Sequence, residues 1–198
     1  MREVTSVVFV GVGGQGTILV TSIFSAGLVA AGYDVKTSEI HGLSQRGGAV
    51  NAHVRFGRKV HSPIVGDGGA DVLVAFEVVE ALRGLPFLKP GGRLIVSDLE
   101  IAPSPVLTGR MKYPKGVLQL LSAKVDTTVV NAHDIAAGLG NARVMNLVVL
   151  GALVEALDLG STAWDAIIAS TVKKDFVDIN AAAFKAGRRT IAHHHQAA

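Results

Sequence analysis

Apolar residues fall along this chain in short runs that alternate with stretches of helical spacing. Thr5 to Val10 is a brief apolar run ending at Gly11, the pattern of a strand buried on both faces. Thr17 to Ala31 then sets Ile18, Leu19, Ile23, Phe24 and Leu28 at helical intervals, with Gly32 placed to close the helix. Val35 to Ile40 reads as a second strand, completing a unit of the length of a right-handed parallel crossover. After the polar, glycine-rich stretch His41 to Gly48, residues Ala49 to Phe56 alternate. Val50, Ala52, Val54 and Phe56 define a buried face, and Asn51, His53 and Arg55 a polar one.

Further on, Ala70 to Phe76 reads as a strand and Glu77 to Arg83 as a short helix. Leu88 to Gly92 reads as a turn feeding a strand at Arg93 to Ser97. Pro103, Pro105 and Pro114 mark Ile101 to Gly116 as an excursion over the surface, open to a neighbouring protein. Thr127 to Asn131 is the last expected strand, and Met145 to Leu157 and Thr162 to Gly187 are expected helices, the second amphipathic. Strands alternating with helices predict an α/β fold: a three-layer α/β/α sandwich around a mostly parallel, Rossmann-like sheet. A length of 198 residues suits a single domain, expected over 1–187, with a flexible tail at 188–198 carrying His193, His194 and His195.

Composition narrows the function. With 49% apolar and 18% charged residues the chain folds around a core. Its formal charge of +3 arises from basic residues that read as scattered, and aromatics make up only 5%, which argues against a nucleic-acid surface. The absence of cysteine removes disulfides, thiolate catalysis and iron–sulfur ligation from this chain. No secretory signal opens it, and the most apolar stretch, Val144 to Leu157, is too short for a bilayer and contains Asn146 and Glu155. The expected location is the cytoplasm, with no membrane contact.

Chemistry concentrates in Gly11-Val12-Gly13-Gly14-Gln15-Gly16, which fits G-x-G-x-x-G between a strand and a helix. Such glycines let backbone approach a diphosphate, and the N–H groups and dipole of the helix N-terminus favour the anion. The same glycines also permit close helix–strand packing without any ligand. No Gly-Lys-Ser/Thr follows, so this is not a P-loop. Glu39 ends the second strand about twenty residues on, where a dinucleotide site holds its ribose carboxylate, although pairing with Lys36 or Arg46 is an alternative. Arg46 and Arg55 suit a phosphate or carboxylate. His41, His53 and His61 match no metal spacing, Ser44 has no base and orienter beside it, and no metal site is expected. Gly66-Asp67-Gly68 is reminiscent of the start of a thiamine diphosphate motif, but the stretch to Ser97 supplies no Asn to complete it.

Three segments together resemble the small-subunit, gamma-type domain of the 2-oxoacid:ferredoxin oxidoreductase family. They are Gly11–Gly16; Glu39–Gly48 with His53-Val-Arg-Phe56 and Ser62-Pro63; and Ala70–Glu77. The likeness spans about residues 5–185, and Ser44-Gln45-Arg46-Gly47-Gly48 is most similar to the indolepyruvate branch. The resemblance implies a subunit supporting CoA-dependent oxidative decarboxylation of aryl pyruvates to arylacetyl-CoA, electrons passing to ferredoxin. It further implies a large (alpha) partner subunit holding thiamine diphosphate, Mg²⁺ and 4Fe–4S clusters, without which this chain is inactive. Gly11, Gly13, Gly14, Gln15 and Gly16, with Ser44 and Arg46, are the residues expected to contact coenzyme A or a neighbouring cofactor, and no catalytic residue is assigned. Two alternatives stand beside it: a free-standing NAD(P)- or flavin-binding oxidoreductase using Gly11–Gly16 and Glu39, and a non-catalytic assembly module.

Overall fold

The structure is a computed structural model and describes residues 3–41 and 48–196. Six strands form one sheet: β1 (Thr5–Val12), β2 (Asp34–His41), β3 (Ala49–Gly57), β4 (Ala70–Ala75), β5 (Leu88–Ser97) and β6 (Asp126–Val130). Their order is β2-β3-β1-β4-β5-β6. From β1 through β4 and β5 to β6 every pairing is parallel, while β3 runs antiparallel between β1 and β2. The mostly parallel three-layer expectation therefore holds, with one change at its start. The chain does cross from β1 to a strand of the same direction, but β3 occupies the place between them.

Helices cover both faces. α1 (Thr17–Ala30), α5 (Ala132–Gly138), α6 (Met145–Ala156), α7 (Trp164–Thr171) and α8 (Val177–Gln196) lie over one, and α2 (Val78–Gly84) and α4 (Val117–Lys124) over the other. Alternate residues of the central strands feed the two cores. Phe9, Val74 and Ile95 pack on the α1/α6 side, and Val8, Val10, Leu73 and Leu94 on the α2/α4 side. This double coverage is why β1 and β4 read as continuous apolar runs. Phe24 of α1 centres the larger core, with Phe9 and Phe56 edge-on at 5.8 and 5.9 Å and Trp164 stacked at 6.3 Å.

α6 is the buried helix of this layer, with every residue from Met145 to Val154 inside. It meets α8 at bare backbone: a Cβ on Gly151 would strike the carbonyl of Phe184, and one on Gly187 the carbonyl of Val148. The helix expected over Thr162–Gly187 is two helices. Val172 and Lys173 are extended, which lets α7 turn Trp164 and Ile168 inward while α8 sets out along α6. α8 also continues past residue 187, where the tail was expected; Ile191 is buried and Arg188 pairs with Glu155 at 2.7 Å. The sequence pattern passed over α4 and α5. It also made Leu88–Gly92 a turn, whereas these residues begin β5, the register against β4 shifting from Ala70↔Leu88 to Val72↔Arg93. α3 (Ser104–Leu107) is a single turn inside the Pro-rich excursion.

Candidate functional site

The glycine loop lies at the C-terminal edge of the parallel strands, where open α/β sheets place their ligands. β1 ends at Val12, and the backbone turns through Gly14 (φ +101°) and Gly16 (φ +79°), left-handed conformations that a Cβ would strain. α1 starts at Thr17 with neither a side-chain cap nor an acidic residue in its first turn. Among the described residues nothing accepts a hydrogen bond from the N–H groups of Thr17, Ile18 or Leu19. The start of this fourteen-residue helix therefore presents free N–H donors and the positive end of its dipole, the two features that favour an anion.

A cleft of about 450 Å³ opens there, lined by Gly13, Gly14, Gly16, Thr17, Glu39 and Val50 among others. The Gly13 N–H donates to the carbonyl of Gly48 at 2.8 Å, tying the loop to the entry of β3. Gly13, Gly14 and Gly16 thus line the cleft, while two other members of the motif serve the frame. Gln15 folds back under the loop, its Oε1 accepting from Val12 N–H at 2.6 Å and its Nε2 donating to the carbonyl of Phe76 at 2.8 Å. Gly11 lies beneath, where an added Cβ would meet Gln15 Oε1, Thr17 Oγ1 and the Phe76 ring at 2.9–3.2 Å. Ser44 and Arg46 lie outside the described residues.

Glu39 is exposed at the rim of the same cleft. Its place on β2 differs from the dinucleotide pattern: it is in register with Ala52 of β3, and β3 separates its strand from β1. Lys36, one partner suggested for it, pairs with Asp34 at 3.4 Å instead. Asp34 also accepts from Val60 N–H, and that bond, with Lys36 and Lys59 nearby, holds its carboxyl below the usual range.

Arg55 is a structural residue. Its Nε donates to Ser6 Oγ at 3.1 Å and its guanidinium to the carbonyl of Ser62 at 3.0 Å, fixing the segment between β3 and β4. That segment covers the face of β3 expected to be polar. His53 is consequently buried, with Nδ1 accepting from Val65 N–H at 3.2 Å and its ring edge-on to Phe87. Its Nε2 has no partner among the described residues, and burial pushes its pKa down. His61 is exposed and does not join it. No group of three metal-ligating side chains forms among the described residues. Gly66–Gly69 is the turn expected, Gly69 N–H donating to the carbonyl of Gly66 at 3.1 Å.

Asn146 is the site residue that sequence reasoning missed. It is buried in α6 and its Nδ2 occupies the place of a Gly16 Cβ, so only glycine fits opposite it. Its Oδ1 accepts from the N–H of Leu147. It also lines a second cleft of about 360 Å³, together with Arg143, Lys173, Phe176 and Asn180 among others. The signal was a lone amide inside an apolar helix. Among the described residues no helix is long and apolar enough to cross a membrane.

A family model for pyruvate ferredoxin/flavodoxin oxidoreductase matches residues 6–190. The indolepyruvate oxidoreductase subunit IorB of Archaeoglobus fulgidus is 38% identical over 189 residues, 92% of this chain and 92% of its own. The gamma subunit of a keto/oxoacid ferredoxin oxidoreductase from Geobacter sulfurreducens superposes with a TM-score of 0.69 at 27% identity, over 94% of this chain and 97% of that one. The 2-oxoglutarate:ferredoxin oxidoreductase of Magnetococcus marinus, solved with 2-oxoglutarate, coenzyme A and succinyl-CoA, matches 96% of this chain with 31% of its own. Its TM-score is 0.73, and at 20% identity that likeness is one of fold. With the family model spanning almost its whole length, and a relative this similar end to end, the chain belongs to the pyruvate ferredoxin/flavodoxin oxidoreductase family.

Proposed function

We propose that this chain is the small subunit of a cytoplasmic indolepyruvate:ferredoxin oxidoreductase, and that its glycine-loop cleft receives the diphosphate of coenzyme A. The subunit assignment is carried by the end-to-end similarity to IorB. The ligand assignment is supported by the uncapped start of α1 beside Gly13, Gly14 and Gly16. At this helix start the N–H groups of Thr17, Ile18 and Leu19 are donors for phosphate oxygens. Asn146 holds Gly16 from behind, and Gln15 braces the turn against β4, so the donors are fixed before the ligand arrives. Arg46 would add a guanidinium to the same anion. Thiamine diphosphate, Mg²⁺ and iron–sulfur clusters in the large subunit would supply decarboxylation and single-electron transfer to ferredoxin. The role of this chain is to bind and orient the thioester-forming partner at that centre.

A free-standing dinucleotide enzyme has one observation in its favour, the carboxylate of Glu39 on the cleft rim. Assays with indolepyruvate, coenzyme A and a viologen dye separate the two. The subunit reading expects turnover only when this chain and the large subunit are combined. Silence of the pair together with binding of NAD(P) or flavin by this chain alone would sink it. In the active pair, Arg46→Ala is expected to raise the KM for coenzyme A about tenfold or more. Unchanged KM and kcat would remove Arg46 from the site.

A further inference from the structure

One stretch departs from the scattered charge of the rest. Between Ile101 and Val125 stand Arg110, Lys112, Lys115 and Lys124 with no Asp or Glu, a segment charge of +4 against +3 for the whole chain, so the remainder is slightly acidic. All four are exposed, and none forms an ion pair among the described residues. Two large apolar side chains stand among them, Leu107 at 74% and Met111 at 64% exposure. The backbone beneath is built, with Leu107 N–H donating to Pro103, Thr108 to Ser104 and Met111 to Pro105 at 2.9–3.1 Å.

This knob is anchored to the sheet by a buried carboxylate. Tyr113 OH donates to Glu77 Oε1 at 2.5 Å, and the same oxygen accepts from Ile101 N–H at 3.1 Å. Glu77 directly follows Phe76, whose carbonyl receives Gln15. The knob therefore stands at the same end of β4 as the glycine loop. A hydrogen-bonded segment that holds two aliphatic side chains in water, beside exposed cations that form no ion pair among the described residues, has the make-up of an interface core and rim. Its only aromatic residue, Tyr113, is engaged with Glu77, so no stacking platform faces a nucleic acid.

We propose that the knob formed by Pro103 to Lys115 docks on an acidic, partly apolar face of the large subunit, beside the cleft that the two chains complete. The exposed cations call for an acidic partner face, and the apolar pair suits a lasting subunit contact better than a brief electrostatic encounter, which selects the large subunit as the occupant. The proposal rests on the subunit reading given above.

The test measures association of the full chain with the purified large subunit at two salt concentrations. The variants are Arg110→Glu/Lys112→Glu/Lys115→Glu and Leu107→Ser/Met111→Ser, each with its thermal melt. A control of equal charge change, Arg58→Glu/Lys174→Glu/Arg189→Glu, reverses exposed cations elsewhere that form no ion pair among the described residues. Expected are native melts for both knob variants and association weakened at least about tenfold, the charge variant losing most of the wild-type salt dependence, while the control stays within about threefold. Association by the knob variants like that of wild type, or an equal loss in the control, would overturn the knob alone. No association by the wild-type chain would overturn the subunit reading and this proposal with it. Normal assembly with a raised KM for ferredoxin would make the knob a carrier dock and likewise overturn it.

Discussion

The amide of Gln15 reaches from the glycine loop to the carbonyl of Phe76, 2.8 Å away, and so joins the end of β1 to the end of β4 beneath the cleft. Its oxygen meanwhile accepts from Val12 N–H at 2.6 Å. A side chain with both ends engaged inside the frame stabilises the turn and is not offered to a ligand. Gln15→Ala leaves two part-buried backbone groups unpaired and is expected to lower stability by about 1–3 kcal/mol, read from the urea midpoint. Unchanged stability with a raised KM for coenzyme A would return Gln15 to direct ligand contact.

Gly14 and Gly16 separate backbone strain from collision. Gly14 has open space around an added Cβ, so Gly14→Ala costs only its left-handed conformation, about 1–2 kcal/mol. Gly16→Ala carries the same strain and also collides with Asn146. It is expected to be the more damaging, with part of the loss restored by Asn146→Ala in a double-mutant cycle of denaturation midpoints. Strict additivity of the two would place Asn146 out of contact.

Tyr113 is held protonated by burial and by the carboxylate of Glu77, which together push its pKa above the ordinary tyrosine range. The unfolded chain ionises first, so this contribution to stability is full below about pH 10 and is lost as pH rises beyond it. Absorbance titration of the folded chain is expected to show a late tyrosine that Tyr113→Phe abolishes. The same variant is expected to lose about 1–3 kcal/mol at neutral pH, because a buried carboxylate loses a donor.

His53 gives the opposite pH dependence. Burial lowers its pKa, so below about pH 6.5 the unfolded chain takes up a proton that the folded chain resists. Stability is expected to fall with pH in that window, by up to about 1.4 kcal/mol per unit for one proton. Thermal melts at pH 7.5 and 5.5 test this against His53→Gln, which keeps an acceptor for Val65 N–H and is expected to flatten the difference. An equal slope in both proteins would assign the effect to other groups.

Gly187→Ala and Gly151→Ala place a methyl against carbonyl backbone at the α6–α8 crossing. Neither neighbour is a flexible side chain, so the helices must separate, at a cost of about 3 kcal/mol or more. Denaturation midpoints close to wild type would show that the two helices slide apart freely.

Much of the frame was visible in local pattern. Strand, loop and helix from Thr5 to Gly32 are read correctly because a buried parallel strand is apolar throughout and α1 ends in the one residue that adopts φ +84° without strain. The Tyr33 N–H duly donates to the carbonyl of Leu28. The alternation of β3 showed which residues meet α1 but not the fate of the other face. Arg55 and His53 have the composition of a wet surface, and they are covered only because the chain after β3 folds back over them. The single helix expected over Thr162–Gly187 failed for a related reason: the extended Val172 separates α7, which buries Trp164 and Ile168, from α8, and no local signal marks that break.

By itself the sequence determined the class of fold, the position of the glycine turn and the family, since each depends on residues adjacent along the chain. Glycine spacing, strand hydrophobicity and a motif between strand and helix all act over a few residues. Tertiary structure alone decided that β3 inserts between β1 and β2, displacing Glu39 from the ribose position, and that Gln15 braces the loop while Gly13, Gly14 and Gly16 face the cleft. It also brought Asn146 behind Gly16 and Tyr113 onto Glu77, partners 130 and 36 residues apart whose meeting is set by how layers pack on the sheet and not by any local preference.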